Sequence, residues 1–148
     1  FHDNYSSAGI DVDENDSRID EVNISFKFKV ESPGEQSLFT IGYPPVQLLV
    51  KDNEVMLKNE KESVNVGACR NWTKITLVSK PDEIAARIEN GAWISMKHKL
   101  AEAGRWLYLG QGYYKNNDNK NVRQPEQGKK FLIDIGSLKT NVKPVQIN

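Results

Sequence analysis

The residue types that most often carry catalysis or bind metals are scarce in this chain of 148 residues. Cys69 is the only cysteine, and His2 and His98 are the only histidines. A structural zinc site takes four Cys or His ligands and a thiol nucleophile needs a neighbouring base, so the sequence predicts neither. We interpret His98, which lies between two lysines, as an exposed basic residue. We expect Cys69 to be a small buried hydrophobe or a surface thiol.

Paired carboxylates, which carry out most sugar hydrolysis, are also poorly placed. Asp11 and Asp13 have acid-x-acid spacing but lie in a polar, acidic stretch rather than in an apolar strand. Asp82 and Glu83 are adjacent, so a strand would direct them to opposite faces. The run Gly110-Gln111-Gly112 lacks the third glycine of a dinucleotide-binding loop. The sequence therefore predicts no enzyme activity, no bound cofactor and no metal.

One segment has the side chains that sugar binding requires. Aromatic rings stack on the apolar face of a pyranose, while amides, carboxylates and guanidinium groups bind its hydroxyls. Residues 111–130 are expected to form a long polar loop, and such loops are usually functional or mobile. A single carboxylate among its asparagines does not favour calcium. With two nearby tryptophans, the candidate glycan-binding residues are Trp93, Trp106, Gln111, Tyr113, Tyr114, Asn116, Asn117, Asp118, Asn119 and Arg123.

The tryptophans have alternative roles. Trp106 and Tyr108 are expected on one face of a strand, with Leu107 and Leu109 on the opposite face toward the core. Core packing is the expected role of Trp72, and it is the alternative to sugar stacking for Trp93.

The net charge of the chain and its distribution limit the kinds of molecule that it is expected to bind. The formal net charge is zero, which disfavours a nucleic-acid-binding protein. Residues 1–35 nevertheless carry nine acidic and three basic residues, and residues 97–143 carry ten basic and four acidic residues. This asymmetry indicates an acidic arm and a solvated basic face, or a basic surface for an acidic partner such as a sulfated or sialylated glycan. No run approaches the roughly 20 apolar residues of a membrane helix, so membrane insertion is not expected.

Period-two alternation predicts strands along most of the chain. Residues 22–30 alternate apolar and polar side chains over nine positions. Two short apolar runs on either side of Asp52-Asn53 predict a hairpin. Further strands are expected at 72–78, 105–110 and 131–135. Residues 1–20 are interpreted as an acidic N-terminal arm or an early edge segment, and residues 21–148 as a single β-rich domain.

Residues 79–91 fit two structures. As a helix, Ser79 would cap the first turn, Ile84 and Ile88 would share a face, and Gly91 would end it. As a hairpin, residues 81–83 would turn and Asn90-Gly91 would form a type I′ turn. Strand context on both sides favours the hairpin. We therefore expect a mainly β fold, an antiparallel β-sandwich of jelly-roll type; a helix here would instead give an α+β fold.

Part of this pattern resembles a known family. Residues 72–77, a turn, residues 84–89 and then Asn90-Gly91 resemble the core hairpin of laminin-G-like and concanavalin A-like jelly-roll domains. Residues 107–110 and 131–135 are similar to the family's next two strands, so the resemblance covers roughly residues 70–138. It implies a sugar-binding or protein-binding sandwich rather than an enzyme. Two departures stand out: the disulfide common in extracellular laminin-G domains cannot form, and the acid-x-acid strand of the glucanase relatives is absent.

These observations lead to an expected function. We expect a non-catalytic carbohydrate-recognition domain that binds cell-surface glycans for attachment, on an extracellular or virion surface. A chain that starts without Met, is rich in Asn, has one Cys and leads with an acidic segment is similar in character to the receptor-binding head of a rotavirus-type viral spike. The alternative is a laminin-G-type adhesion or structural module that binds a protein receptor.

Overall fold

The computed structural model describes residues 8–12, 19–100, 102–115, 118, 120–125 and 131–144. These ranges contain strands and turns and no helix, so the helical alternative for residues 79–91 is wrong. None of the described segments is therefore a helix that could cross a membrane. The strands are β1 (Ala8–Asp11), β2 (Ile19–Val30), β3 (Gln36–Tyr43), β4 (Val46–Lys51), β5 (Glu54–Lys58), β6 (Ser63–Ala68), β7 (Thr73–Ser79), β8 (Glu83–Ile88), β9 (Ile94–Lys97), β10 (Glu102–Leu109), β11 (Gln111–Lys115), β12 (Asn121–Pro125) and β13 (Phe131–Pro144).

The strands form two antiparallel sheets that pack as a sandwich, which confirms the predicted fold class. The six-stranded sheet has the order β1-β10-β3-β4-β5-β6, and the five-stranded sheet has the order β13-β2-β7-β8-β9. Strands β11 and β12 form a separate two-stranded hairpin that continues from β10 through Gly110.

Strand β2 shows why this sequence forms a sandwich. Val22, Ile24, Phe26 and Phe28 are at most 1% exposed, and the residues between them face solvent. Burying each of these apolar side chains stabilises the fold by about 1.5–3 kcal/mol. The strand lies between β13 and β7, so its inner face is central to the core. Phe26 contacts Phe39 of the other sheet edge to face, with ring centroids 5.8 Å apart.

The predicted hairpin at residues 79–91 is confirmed as β7 and β8. Its second turn, however, is not the expected type I′ turn at Asn90-Gly91, because Glu89 is the residue with a positive φ, of 50°. The backbone N–H of Glu89 donates to Lys74 O, and the Glu89 carboxylate accepts from Lys74 N, both at 2.8 Å. These bonds extend the pairing with β7 and place the turn one residue earlier. Strand β9 consequently begins at Ile94.

Two polar stretches contain strands that alternation did not predict. Within the predicted acidic arm, β1 pairs with β10 at the edge of the six-stranded sheet, and Val12 enters the core. The prediction of a long loop at residues 111–130 is wrong in part, because β11 and β12 pair antiparallel over five positions. Backbone N–H and C=O groups make this ladder. A polar sequence provides these backbone groups as well as an apolar sequence does. The pairing therefore requires no alternation of apolar and polar residues, and none is present to predict it.

His98 is partly buried and bonded at both ring nitrogens, which contradicts its interpretation as an exposed basic residue. Nε2 lies 2.8 Å from Pro44 O and Nδ1 lies 2.9 Å from Asn59 Nδ2. The Asn59 Oδ1 accepts from the backbone N–H groups of Lys61 and Glu62, each at 2.8 Å, which fixes the orientation of the amide. A carbonyl only accepts, so Nε2 must donate and Nδ1 must accept. The geometry requires the neutral Nε2–H tautomer.

This bridge joins the turns after β3 and β5 to the segment after β9, so we expect it to stabilise that end of the sandwich. Asn59→Ala removes three hydrogen bonds and should lower the free energy of unfolding by about 1–2 kcal/mol in urea titrations. Lys99→Ala, at a neighbouring exposed lysine, is the matched control and should change little. Nitrogen NMR of the imidazole at neutral pH should show the proton on Nε2. A proton on Nδ1 would contradict the bridge.

Glu21 of β2 contacts β13 and the turn after β7 on the outer side of the five-stranded sheet. Its Oε2 lies 2.9 Å from Lys143 Nζ and accepts from Asn23 Nδ2 at 3.0 Å, while its Oε1 lies 3.8 Å from Lys80 Nζ. The hydrogen bond from Lys143, followed by that from Asn23, lowers the pKa of Glu21. The same bond raises the pKa of Lys143.

The lowered pKa of Glu21 gives a pH-dependent contribution to stability. A folded-state pKa below the unfolded value stabilises the protein above the unfolded pKa, and this stabilisation is lost as pH falls through the folded value. Glu21→Gln should therefore lower the free energy of unfolding by less than about 1 kcal/mol at neutral pH, and by progressively less as the pH falls below the ordinary glutamate pKa of about 4.3. Denaturant titrations at several pH values, with Glu35→Gln as the exposed control, measure this. An effect independent of pH would show that the charge is not involved.

Candidate functional site

All three tryptophans of the chain lie on the surface. Trp72 is 46% exposed, Trp93 is 45% exposed and Trp106 is 43% exposed, whereas the core consists mainly of aliphatic and phenylalanine side chains. The expected core position of Trp72 is wrong. The first side chain of β7 that points into the core belongs to the next residue, Thr73. Large apolar rings left in water are the feature of this molecule that most needs a functional explanation.

Trp106 and Tyr108 form a pair of neighbouring aromatic rings on the outer face of the six-stranded sheet, here named the Trp106 platform. Their rings are stacked, with centroids 6.5 Å apart and an interplanar angle of 29°. Leu107 and Leu109 alternate with them and are fully buried, as the sequence predicts. Gly9 of β1 lies against both rings, so a Cβ there would sit 3.6 Å from Tyr108 and 3.9 Å from Trp106.

Trp93 borders an open cleft of about 250 Å³ on the outer face of the five-stranded sheet, here named the Trp93 cleft. Its apolar part comes from Val78 and Ala85, which are Cα partners in β7 and β8. Polar and charged groups complete the lining, so an apolar ring face and hydrogen-bonding groups face the same space. The lining residues are Val78, Lys80, Glu83, Ala85, Trp93 and Ser95.

Arg87 fixes the Trp93 ring. Its guanidinium carbon lies 4.7 Å from the centre of the indole, a cation–π contact that covers one face of the ring. Arg87 Nε is buried and finds no acceptor among the described residues. Among the described residues, the Trp93 ring is therefore the contact shown for this guanidinium, and no ion pair with a carboxylate accompanies it.

The structure separates the sequence-predicted site residues into three places. Trp93 and Trp106 lie on the outer faces of opposite sheets and cannot contact one ligand group together. The hairpin of β11 and β12 brings together Gln111, Tyr113, Tyr114 and Arg123, and Tyr113 is the Cα partner of Arg123. Asp118 is exposed in the turn between these strands. Asn116, Asn117 and Asn119 lie outside the described residues.

Sequence reasoning missed the partners of Trp93. Arg87 and Ala85 lie in the stretch that fitted both helix and hairpin, so the outward face of its strand was not assigned, and Val78 lies in the predicted strand just before it. Once β7 and β8 are recognised as a hairpin, alternation places all three side chains outward with Thr76 and Lys74. The register across the turn at Glu89 then brings Arg87 beside Trp93.

Groups suited to metal binding do not converge in the described ranges. No three His, Cys, Asp or Glu residues there are placed to hold a metal ion. Cys69 is buried in the core, and burial raises the pKa of its thiol, which disfavours the reactive thiolate. The surfaces that do converge are aromatic and basic.

Comparisons with known proteins identify the architecture. The sequence matches no protein-family model and no curated protein. Among solved structures, it is similar to the family 7 alginate lyase A1-II′ in complex with product (GGG), at TM-score 0.57 and 10% identity, covering 95% of this chain and 73% of that one. It is also similar to the family 7 alginate lyase AlgAT5, at TM-score 0.56 and 8% identity, covering 92% and 63%.

The binding domain of botulinum neurotoxin serotype C1 is similar at TM-score 0.53 and 12% identity, covering 95% of this chain and 38% of that one. The fold is a jelly-roll β-sandwich. At these identities the likeness shows the fold alone, and the chain spans only part of each of these proteins.

Removing Arg87 should free the Trp93 ring. In a Trp72→Phe/Trp106→Phe background, where Trp93 is the only indole, Arg87→Gln should raise acrylamide quenching of its fluorescence. It should also lower the free energy of unfolding by about 0.5–1 kcal/mol. Arg70→Gln, at an exposed arginine without a ring contact among the described residues, is the matched control. Unchanged quenching would mean that Arg87 does not cover the ring.

Proposed function

We propose that this chain is a non-catalytic carbohydrate-binding domain that recognises glycans through aromatic surfaces on the outside of its sandwich. The observation that carries the proposal is that all three tryptophans are 43–46% exposed, while smaller apolar side chains fill the core. An indole on the surface leaves apolar area in water. Stacking on the apolar face of a sugar ring uses that area.

Each surface offers an aromatic ring for stacking. The Trp106 platform lies on β10, directly before the hairpin that carries the predicted Tyr113, Tyr114 and Arg123. In the Trp93 cleft, Lys80, Glu83 and Ser95 line the same space as the indole. Water competes for every hydrogen bond to a sugar, so each site is expected to be weak. Two sites on one chain allow avidity for a repeating glycan.

The non-catalytic role rests on the sequence, which has no pair of carboxylates at acid-x-acid spacing within an apolar strand. The alginate lyases share the fold, and one of them is solved with product (GGG). Fold alone does not carry their reaction to this chain. Incubation with alginate tests this part of the proposal, since release of unsaturated oligosaccharides would show that the chain is a lyase.

The proposal extends to where the domain acts. Attachment to cell-surface glycans, from an extracellular or virion surface, agrees with a binding domain that has exposed aromatic surfaces. The comparison with a viral spike head rests on the character of the sequence alone. The alternative function is a protein-binding adhesion or structural module, in which the same aromatic surfaces would contact a protein receptor.

A glycan array with multivalently presented protein tests the proposal, because a single weak site could escape detection. Binding should concentrate on glycans that share one sugar. Trp93→Ala or Trp106→Ala should weaken it about three- to tenfold, the loss expected for one stacking contact. Trp72→Ala is the matched control, since Trp72 is equally exposed but has no stacked ring or guanidinium among the described residues. An equal loss in all three variants would contradict the assignment of the two surfaces.

The predicted tyrosines separate the two functions. Tyr113→Ala combined with Tyr114→Ala should reduce sugar binding while circular dichroism shows a folded protein. If sugar binding survives, the hairpin is not the site, although the function stands. If the folded wild-type protein binds no glycan on the array, a protein partner replaces the sugar.

A further inference from the structure

Three lysines meet on the outer face of the five-stranded sheet. Lys27 of β2 is the Cα partner of Lys74 of β7. Lys139 of β13 is the Cα partner of Ser25, two residues before Lys27 on the same face. All three lysines are exposed, and directly opposed or diagonal side chains on one sheet face lie within reach of each other. The register thus concentrates positive charge at one place.

An irregularity in β13 opens a cleft beside these lysines. The register between β13 and β2 shifts between Asp134 and Lys139. Ser137 holds the displaced segment, because its Oγ accepts from the Lys27 N–H at 2.8 Å and donates to Asp134 O at 2.6 Å. The result is a cleft of about 210 Å³, here named the lysine cleft, lined by Ser25, Phe26, Lys27, Lys74, Gly136, Ser137 and Lys139.

The two nearest carboxylates are engaged by backbone donors. Asp134 Oδ1 accepts from the Gly136 N–H at 3.1 Å, and Glu89 Oε1 accepts from the Lys74 N–H at 2.8 Å. Within the described residues, none of the ammonium groups of Lys27, Lys74 and Lys139 forms an ion pair. The ammonium groups themselves are therefore available to a ligand, although Asp134 and Glu89 remain nearby negative charges.

Three other lysines on this side of the sheet lie beside carboxylates. Lys143 and Lys80 both pair with Glu21, at 2.9 and 3.8 Å, and Lys29 pairs with Glu31 at 3.9 Å. Like charges directly opposite each other on a sheet are destabilising. Asp134 of β13 is the Cα partner of Lys27 on its other side and offsets part of this repulsion. A bound anion would offset the remainder between Lys27 and Lys74.

We infer that the lysine cleft is an anion subsite, and that the glycan bound on this sheet is an acidic polysaccharide whose sulfate or carboxylate groups the three lysines hold. Ser25 and Ser137 add hydroxyls, and Gly136 leaves the displaced strand without a side chain at the cleft. Lysine suits this role, because it binds anions as a flexible point charge with three donors.

One row of outward residues joins this subsite to the Trp93 cleft. Lys139 pairs with Ser25, Ser25 with Thr76 and Thr76 with Arg87, whose guanidinium lies over Trp93. At about 4.8 Å per strand, the row from β13 to β8 spans about 14 Å. A short stretch of glycan can cross it with a sugar ring at Trp93 and an anionic group at the lysines. This extended ligand rests on the proposed function; the anion subsite by itself does not.

Binding to immobilised polysaccharides tests the ligand class with the full chain. Dextran sulfate and polygalacturonate are the two acidic probes, and neutral dextran is the uncharged reference. We expect binding to at least one acidic probe that weakens with added salt, and weaker or no binding to neutral dextran. Lys27→Gln, Lys74→Gln and Lys139→Gln should each weaken acidic binding about two- to fivefold, as expected for exposed charge contacts.

Lys51→Gln is the matched control, because it removes the same charge from an exposed lysine on the other sheet. It should leave binding unchanged. An equal loss with Lys51→Gln would overturn the inference in favour of a diffuse effect of net charge. In the absence of ligand, Lys27→Gln and Lys74→Gln should unfold at nearly the same denaturant concentration as wild type, because each relieves the repulsion between the lysines and also loses the attraction of a nearby carboxylate, Asp134 or Glu89.

An NMR titration with sodium sulfate, against sodium chloride at equal ionic strength, separates the inference from the proposed function. Sulfate should shift the amide signals of Ser25, Lys27, Lys74, Gly136 and Ser137. If glycans bind but neither sulfate nor the lysine variants have an effect, the anion subsite is wrong and the glycan function stands. If no polysaccharide binds but sulfate shifts these signals, the anion subsite stands and the glycan function fails.

Discussion

The contact between Phe26 and Phe39 holds the two sheets at one distance and in one relative position. Phe26 lies in the centre of β2 and also meets Phe28 edge to face, so one side chain joins its own strand to the opposite sheet. Because side chains alternate along a strand, fixing these rings inward fixes Ser25 and Lys27 outward. The chemistry of the outer surface thus depends on the packing of the core.

This dependence explains which parts of the fold could be predicted. A one-residue slip in register would move every buried side chain of β2 into water, so its alternation specifies the strand strongly. The turn at Asp52-Asn53 was similarly clear, since both residues have left-handed φ values, of 51° and 64°, as a type I′ hairpin turn requires. For residues 79–91 the apolar spacing fitted both structures, and the neighbouring strands decided in favour of the hairpin.

The parts that could not be predicted depend on contacts between distant residues. Trp72 is exposed because Thr73 is the first residue of β7 whose side chain points into the core. The loop before β7, rather than local composition, determines which of its residues point inward. His98 is neutral and bonded because Pro44 and Asn59, far away in the sequence, approach its ring. The β11–β12 ladder rests on backbone bonds. The fold class could therefore be predicted from the sequence, whereas predicting the candidate site would have required knowledge of the strand register across several turns.

The outer faces retain two features that weaken a free protein: apolar indole rings in water and unpaired like charges in register. Neither contributes to the core, where Phe26 and its neighbours are almost completely buried. A sheet that pairs Lys143 and Lys80 with Glu21 has the means to neutralise charge, yet it leaves Lys27 opposite Lys74. Since these costs lie at outward positions, removing them should leave the sandwich intact. The proposed binding and the folding of the sandwich are therefore expected to be separable, and a variant that loses binding while it keeps its stability would identify a residue held in place for its ligand.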